Sequence, residues 1–161
     1  MGYSININDP DTGKVIEIDE PHHIIGSTYR VGGDTQLYIS ITYNYSAFYY
    51  RAETLGVSTE EMRDTGKGYC ETIKPETGGI PGLQYLTIPQ ARERVLRAIN
   101  ALRDEDIDKH GNTYKPVSSF DDEEIKASSY WAPTERNARN ALKNLLSLLL
   151  LAPDNAKIEV C

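Results

Sequence analysis

The chain has 161 residues, 39% apolar and 25% charged, with a net charge of −7. That length suits a single domain, residues 1–161, able to bury a core without staples, and the composition excludes a disordered chain. The acid excess argues against direct nucleic-acid binding, which calls for a basic face, and the longest apolar run, Leu145 to Ala152, is too short to span a bilayer.

Tyr3 to Asn8 alternates, with Tyr3, Ile5 and Ile7 on one face. Asp9-Pro-Asp-Thr-Gly13 has turn chemistry, and Lys14 to Asp19 alternates again, so the segment is expected to be a hairpin. A second hairpin is expected from Ser27–Val31, a tight Gly32-Gly33-Asp34 connection, and a strong strand from Gln36 to Asn44. In that strand Leu37, Ile39, Ile41 and Tyr43 face the core, while Tyr38, Ser40, Thr42 and Asn44 form a polar face.

Ser46 is the expected N-cap of a short helix, Ala47 to Leu55, closed by Gly56. Asp64 to Gln84 reads as a long loop. Thr87-Ile-Pro89 then opens a helix whose buried stripe is Ala91, Val95, Ala98, Ile99 and Leu102, with Glu93 and Arg97 paired outside. Asp104 to Asp108 and Asp121 to Glu124 read as solvated acidic segments, and Asp121 to Lys126 as a short helix.

Thr134 or Pro133 opens the clearest helix, with Ala138, Ala141, Leu142, Leu145, Leu148, Leu149 and Ala152 inward. Leu146, Leu150 and Leu151 widen the stripe, so its second half is expected to be buried nearly all round. Lys157 to Val160 can return as an edge strand. The expected fold is therefore α+β, with N-terminal antiparallel strands in two hairpins packed on a mainly helical C-terminal half.

Motifs for chemistry are sparse. His22 and His23 point to opposite faces of an extended segment and do not chelate together, and Cys70, Cys161 and His110 are too scattered to predict a metal site. Without a signal segment at Met1 to Asn8, a cytoplasmic protein with reduced thiols is expected. There is no serine elbow, Walker loop or dinucleotide fingerprint, so no catalytic set and no cofactor are expected.

Three segments stand out as a ligand site. Gly26 to Gly33 is glycine-rich and carries Tyr29 and Arg30, whose guanidinium could fork onto phosphate or carboxylate; hairpin glycines are the plainer reading. Thr42 to Arg51 gathers Tyr43, Asn44, Tyr45, Tyr49 and Arg51 where a strand meets a helix start, a place that favours anions; an aromatic mini-core explains the same residues. Tyr130 to Ala138 places Trp131 before a helix start, followed by a stripe of Arg136, Arg139 and Lys143 that could hold phosphate or simply face solvent.

Ile41-Thr-Tyr-Asn-Tyr45, Tyr130-Trp-Ala-Pro-Thr-Glu-Arg-Asn-Ala138, the Gly26/Tyr29/Gly32/Gly33 element and Gly79-Ile-Pro-Gly-Leu83 together resemble small uncharacterised bacteriophage and prophage proteins. The resemblance covers about His22 to Asp154. The chain departs from that pattern at Arg136 and Arg139, where the family has glycine or another small residue, and in a longer stretch between Tyr50 and Gly79. The resemblance gives no enzymatic activity to carry over; it implies a viral accessory role, which would place the protein in the host-cell cytoplasm. The expected function is sequestration of a small phosphate-bearing, nucleotide-like ligand to counter host defence, by a homo-oligomer. The alternatives are an acidic inhibitor of a host defence protein such as a nuclease, and a small hydrolase with an unrecognised site.

Overall fold

A computed structural model describes residues 2–24, 33–57, 78–115 and 132–161. The N-terminal strands are β1 (Gly2–Asn8), β2 (Glu17–His22), β3 (Asp34–Gln36) and β4 (Tyr38–Thr42). A 3-10 turn, Tyr43–Tyr45, runs into α1 (Ser46–Tyr49). A second 3-10 turn, Pro81–Tyr85, precedes α2 (Ile88–Ala101), and α3 (Glu135–Leu151) is followed by β5 (Lys157–Val160). The protein is an α+β fold of antiparallel strands with a helical C-terminal half.

β1 is the centre of a three-stranded sheet, with β4 on one side and β5 on the other, both antiparallel. The register sets Ile5 opposite both Ile39 and Val160, and Ile7 opposite Ile158. All of these are buried, because alternate residues of each strand face the same layer.

The hairpin expected at the start forms only at its tip. The Asp9 carboxylate accepts the amides of Asp11 and Thr12, Gly13 takes φ 72°, and Asn8 bridges Val15. Beyond that, β1 and β2 share a partner rather than pairing with each other. β1 pairs with β4, and β2 pairs with β3 just upstream on the same extended stretch. At the junction Ile7, Leu37 and Ile16 are hydrogen-bonded in a ring, each contact 2.9 Å. Periodicity gave the correct faces, but partner choice depends on contacts distant in sequence. The expected Ser27–Val31 strand and Asp121–Lys126 helix lie outside the described residues.

Ser46 begins α1 instead of capping it, and its hydroxyl lies 2.6 Å from the Tyr3 hydroxyl. Thr42 supplies the cap one element earlier, accepting the Asn44 amide. The helix lasts a single turn, and the chain then coils to Gly56, whose amide bonds the Arg51 carbonyl. Gly78 is packed against Gly56: a Cβ there would lie 2.3 Å from the Gly56 oxygen, so glycine is required.

α2 opens with the full capping box between Thr87 and Gln90, and α3 with Thr134 accepting the Asn137 amide. The start of α2 meets the end of α3 through Arg92 and Leu149, and the start of α3 meets the end of α2 through Arg139 and Ile99, so the two helices run antiparallel; α3 also packs on β4. Arg92 closes the far end of α3, donating to the Leu149 and Ala152 carbonyls and pairing with Asp154. A helix end otherwise leaves such carbonyls unsatisfied. Leu142, Leu145, Leu148 and Leu149 are buried as expected, but Leu150 and Leu151 are 64% and 44% exposed, so the core stops short of the all-round burial read from the leucine run.

Cys161 is disulfide-bonded, where reduced thiols were expected. Its backbone exchanges two hydrogen bonds with Ser4, so the sheet fixes its place, which spacing along the sequence could not reveal. The other cysteine, Cys70, lies outside the described residues. Among the described residues no helix is long and apolar enough to cross a membrane.

Candidate functional site: an arginine cluster at a helix start

Two of the three segments singled out in the sequence meet at the N-terminus of α3. The Tyr49 hydroxyl donates to the Ala138 carbonyl at 2.9 Å, and Arg51 Nη1 contacts Glu135 Oε1 at 3.1 Å. Tyr29, Arg30 and Trp131 lie outside the described residues.

Tyr45 and Tyr49 have no exposed surface and pack edge to face, with centroids 6.2 Å apart. They belong to the aromatic core. Tyr43 is half-buried, edge-on to Tyr3 at 4.7 Å, and Asn44 is exposed. Arg51 lies over the Phe48 ring, 5.2 Å from its centroid, a cation–π contact that holds the stem of the side chain. Arg136 does not join Arg51 on Glu135: it bonds the Asp104 and Asp106 carboxylates and the Asp104 carbonyl. Part of the acidic segment expected to be solvated is therefore internally neutralised.

The centre of the arrangement is Glu135, whose side chain is 3% exposed. Its two oxygens are divided between two arginines, Oε1 to Arg51 Nη1 and Oε2 to Arg103 Nε at 2.9 Å. It sits in the first turn of α3, where the helix dipole favours a carboxylate, and its amide donates to the Ile107 carbonyl. Two further arginines are moored on backbone close in sequence to this pair. Arg97 Nη2 donates to the carbonyl of Thr54, whose amide bonds Arg51, and Arg139 Nε donates to the carbonyl of Ile99, one turn before Arg103.

Among the described residues each of the four guanidiniums spends one N–H on a protein acceptor, and a guanidinium has five. That mooring restrains each side chain and, among the described residues, leaves donors for another partner. Arg103, 56% exposed, uses only Nε among the described residues, where its terminal fork has no acceptor. Sequence reading found Arg51 and Arg139 but missed Glu135, Arg97 and Arg103. Glu135 looked like an ordinary first-turn acid, and only the outward i,i+4 pairing drew attention to Arg97.

Among the described residues no group of three or more His, Cys, Asp or Glu is placed to hold a metal ion. Asp108, in the turn after α2, has its carboxyl below the ordinary aspartate range, chiefly because it accepts the Asn112 amide and then that of His110. No family model, curated protein or solved structure matches the chain.

Proposed function

We propose that the protein is a non-enzymatic binding protein that holds a small phosphate-bearing ligand on the cluster Arg51, Arg97, Arg103 and Arg139. The observation that carries this reading is the division of one buried carboxylate between Arg51 and Arg103, which orients two guanidiniums in a chain of net charge −7. Pre-oriented planar forks match phosphate and lose less freedom on binding. Guanidiniums stay charged at any working pH, so the set suits holding charge better than moving protons. The rings of Tyr45 and Tyr49 are in the core, so on this surface the ligand is read through its phosphate and not by stacking on those two.

The resemblance to small phage and prophage proteins supports the narrower proposal that the ligand is a nucleotide-like defence signal and that the protein sequesters it. The engagement of Asp104 and Asp106 by Arg136 leaves less free acid for the rival reading, an acidic inhibitor of a host protein.

The test combines mass spectrometry of compounds released on heating with a thermal-shift panel of cyclic and linear nucleotides. A ligand at a hundredfold its Kd stabilises by about 2.7 kcal/mol, a measurable rise in Tm. Arg103→Ala is expected to abolish that rise; it also leaves one oxygen of the buried Glu135 carboxylate unpaired and lowers the unliganded Tm, so the shift on adding nucleotide is read against the variant's own unliganded Tm. No released compound and no shift with any nucleotide would overturn the proposal.

A further inference from the structure

The two-stranded sheet is held at its irregular end by a side chain as well as by its ladder. β2 and β3 pair at Glu17 with Gln36 and at His22 with Asp34, so β2 advances five residues while β3 advances two. Pro21, within that stretch, has no amide to donate. His22 supplies a bond instead: it is 8% exposed, and its ring Nε2 lies 2.6 Å from the Gln36 carbonyl oxygen. The other ring nitrogen, Nδ1, accepts the Ile24 amide at 3.1 Å. Gly33, at φ 78°, closes on the same piece of chain, where a Cβ would lie 2.7 Å from the His22 oxygen.

These two bonds fix the charge of the ring. A carbonyl only accepts and a backbone N–H only donates, so the ring is neutral, with its proton on Nε2. A second proton belongs on Nδ1, where it meets the Ile24 N–H and no acceptor. It can be taken up only if the Ile24 bond breaks. The charged groups around the ring are nevertheless acidic. Glu17, Asp19 and Glu20 stand on β2 and Asp34 on β3, with no lysine or arginine on either strand. His23 follows on the exposed side. The cleft that Gln36 shares with the 9–14 turn and β5 adds Asp9 and Glu159 against Lys14. Asp34 is directly across from His22 in the register, where cross-strand side chains meet. The present seat fits only the neutral ring, and the carboxylates around it offer a charged ring a different one.

We infer that His22 is a pH-operated staple. Neutral, it joins β2 to β3 and moors Ile24; charged, it releases the Ile24 amide and turns Nδ1–H toward the Asp34 carboxylate. The strands of the three-stranded sheet contain no histidine, so acid acts first on the small sheet. The inference does not depend on the arginine-cluster reading.

The test is an NMR titration of the full chain from about pH 8 to 5, the interval in which imidazole ordinarily changes charge. The ring nitrogens report tautomer and charge, and the protection factor of the Ile24 amide reports the bond. At the upper limit the ring should be the Nε2–H tautomer. As it charges, Ile24 protection should fall by about fivefold or more, the scale of one hydrogen bond, while the amides of β1 keep theirs. His22→Asn places an uncharged acceptor where Nδ1 was, so its Ile24 protection should no longer depend on pH. Asp34→Asn removes the partner of the charged ring and should move the loss to lower pH. Three results would overturn the inference: a ring that stays neutral throughout, a charged ring with Ile24 still protected, or the same pH dependence in His22→Asn, which would place the switch on another group.

Discussion

Removing Glu135 and removing its arginines break the same two contacts, 3.1 and 2.9 Å long, but the consequences differ. Arg51 and Arg103 are 26% and 56% exposed and can turn to water once the carboxylate is gone. Glu135, 3% exposed, has no such exit. Removing both arginines as Arg51→Met and Arg103→Met should therefore cost about 3 kcal/mol or more, the scale for a buried charge stripped of its partners. Adding Glu135→Gln to that double variant should restore stability, measured by urea denaturation. A further loss in the triple variant would show that Glu135 is held by something other than the two arginines. Asp108 makes a separate, pH-dependent contribution. Its folded pKa is depressed by backbone amides, so its stabilising effect is whole above about pH 4 and is lost as the pH falls through the depressed value. Asp108→Asn should therefore differ from the parent in stability at neutral pH and converge with it in strong acid, as acid titration of unfolding can read.

At the scale of elements, α3 shows how far a hydrophobic pattern reaches. The period of 3.6 identifies its cap at Thr134, its inward leucines and its end, because those features depend on neighbours three or four residues away. The pattern does not say where the layer facing the helix stops, and Leu150 and Leu151 lie beyond it. Leu148→Ala should cost about 2–5 kcal/mol, whereas Leu150→Ala should change stability by about 0.5 kcal/mol or less. Comparable losses at both positions in chemical denaturation would mean that Leu150 is covered in solution. The strands divide in the same way. Alternation identified the faces of β1 and β4, but the sharing of one extended stretch by β1 and β2 rests on the ring of bonds joining Ile7, Leu37 and Ile16, which no local signal encodes.

At the scale of the molecule, the candidate site is assembled from four stretches: the turn after α1, α2, the bend that follows it, and the start of α3. Sequence reading could name Arg51 and the α3 start because each lay beside a recognisable helix signal. It could not join them, nor find Arg103, because Arg51 and Glu135 are 84 positions apart and burial of a single glutamate leaves no mark on composition. The same long reach governs the sheet. Its central strand is the first to be made, and β5 binds it across a separation of 153 residues, as between Asn6 and Glu159. At about 5–20 residues per second a ribosome takes on the order of ten seconds or more to cover that distance. Throughout that interval the nascent β1 carries Tyr3, Ile5 and Ile7 on a strand with one flank unclaimed, an open edge on which another strand can pair.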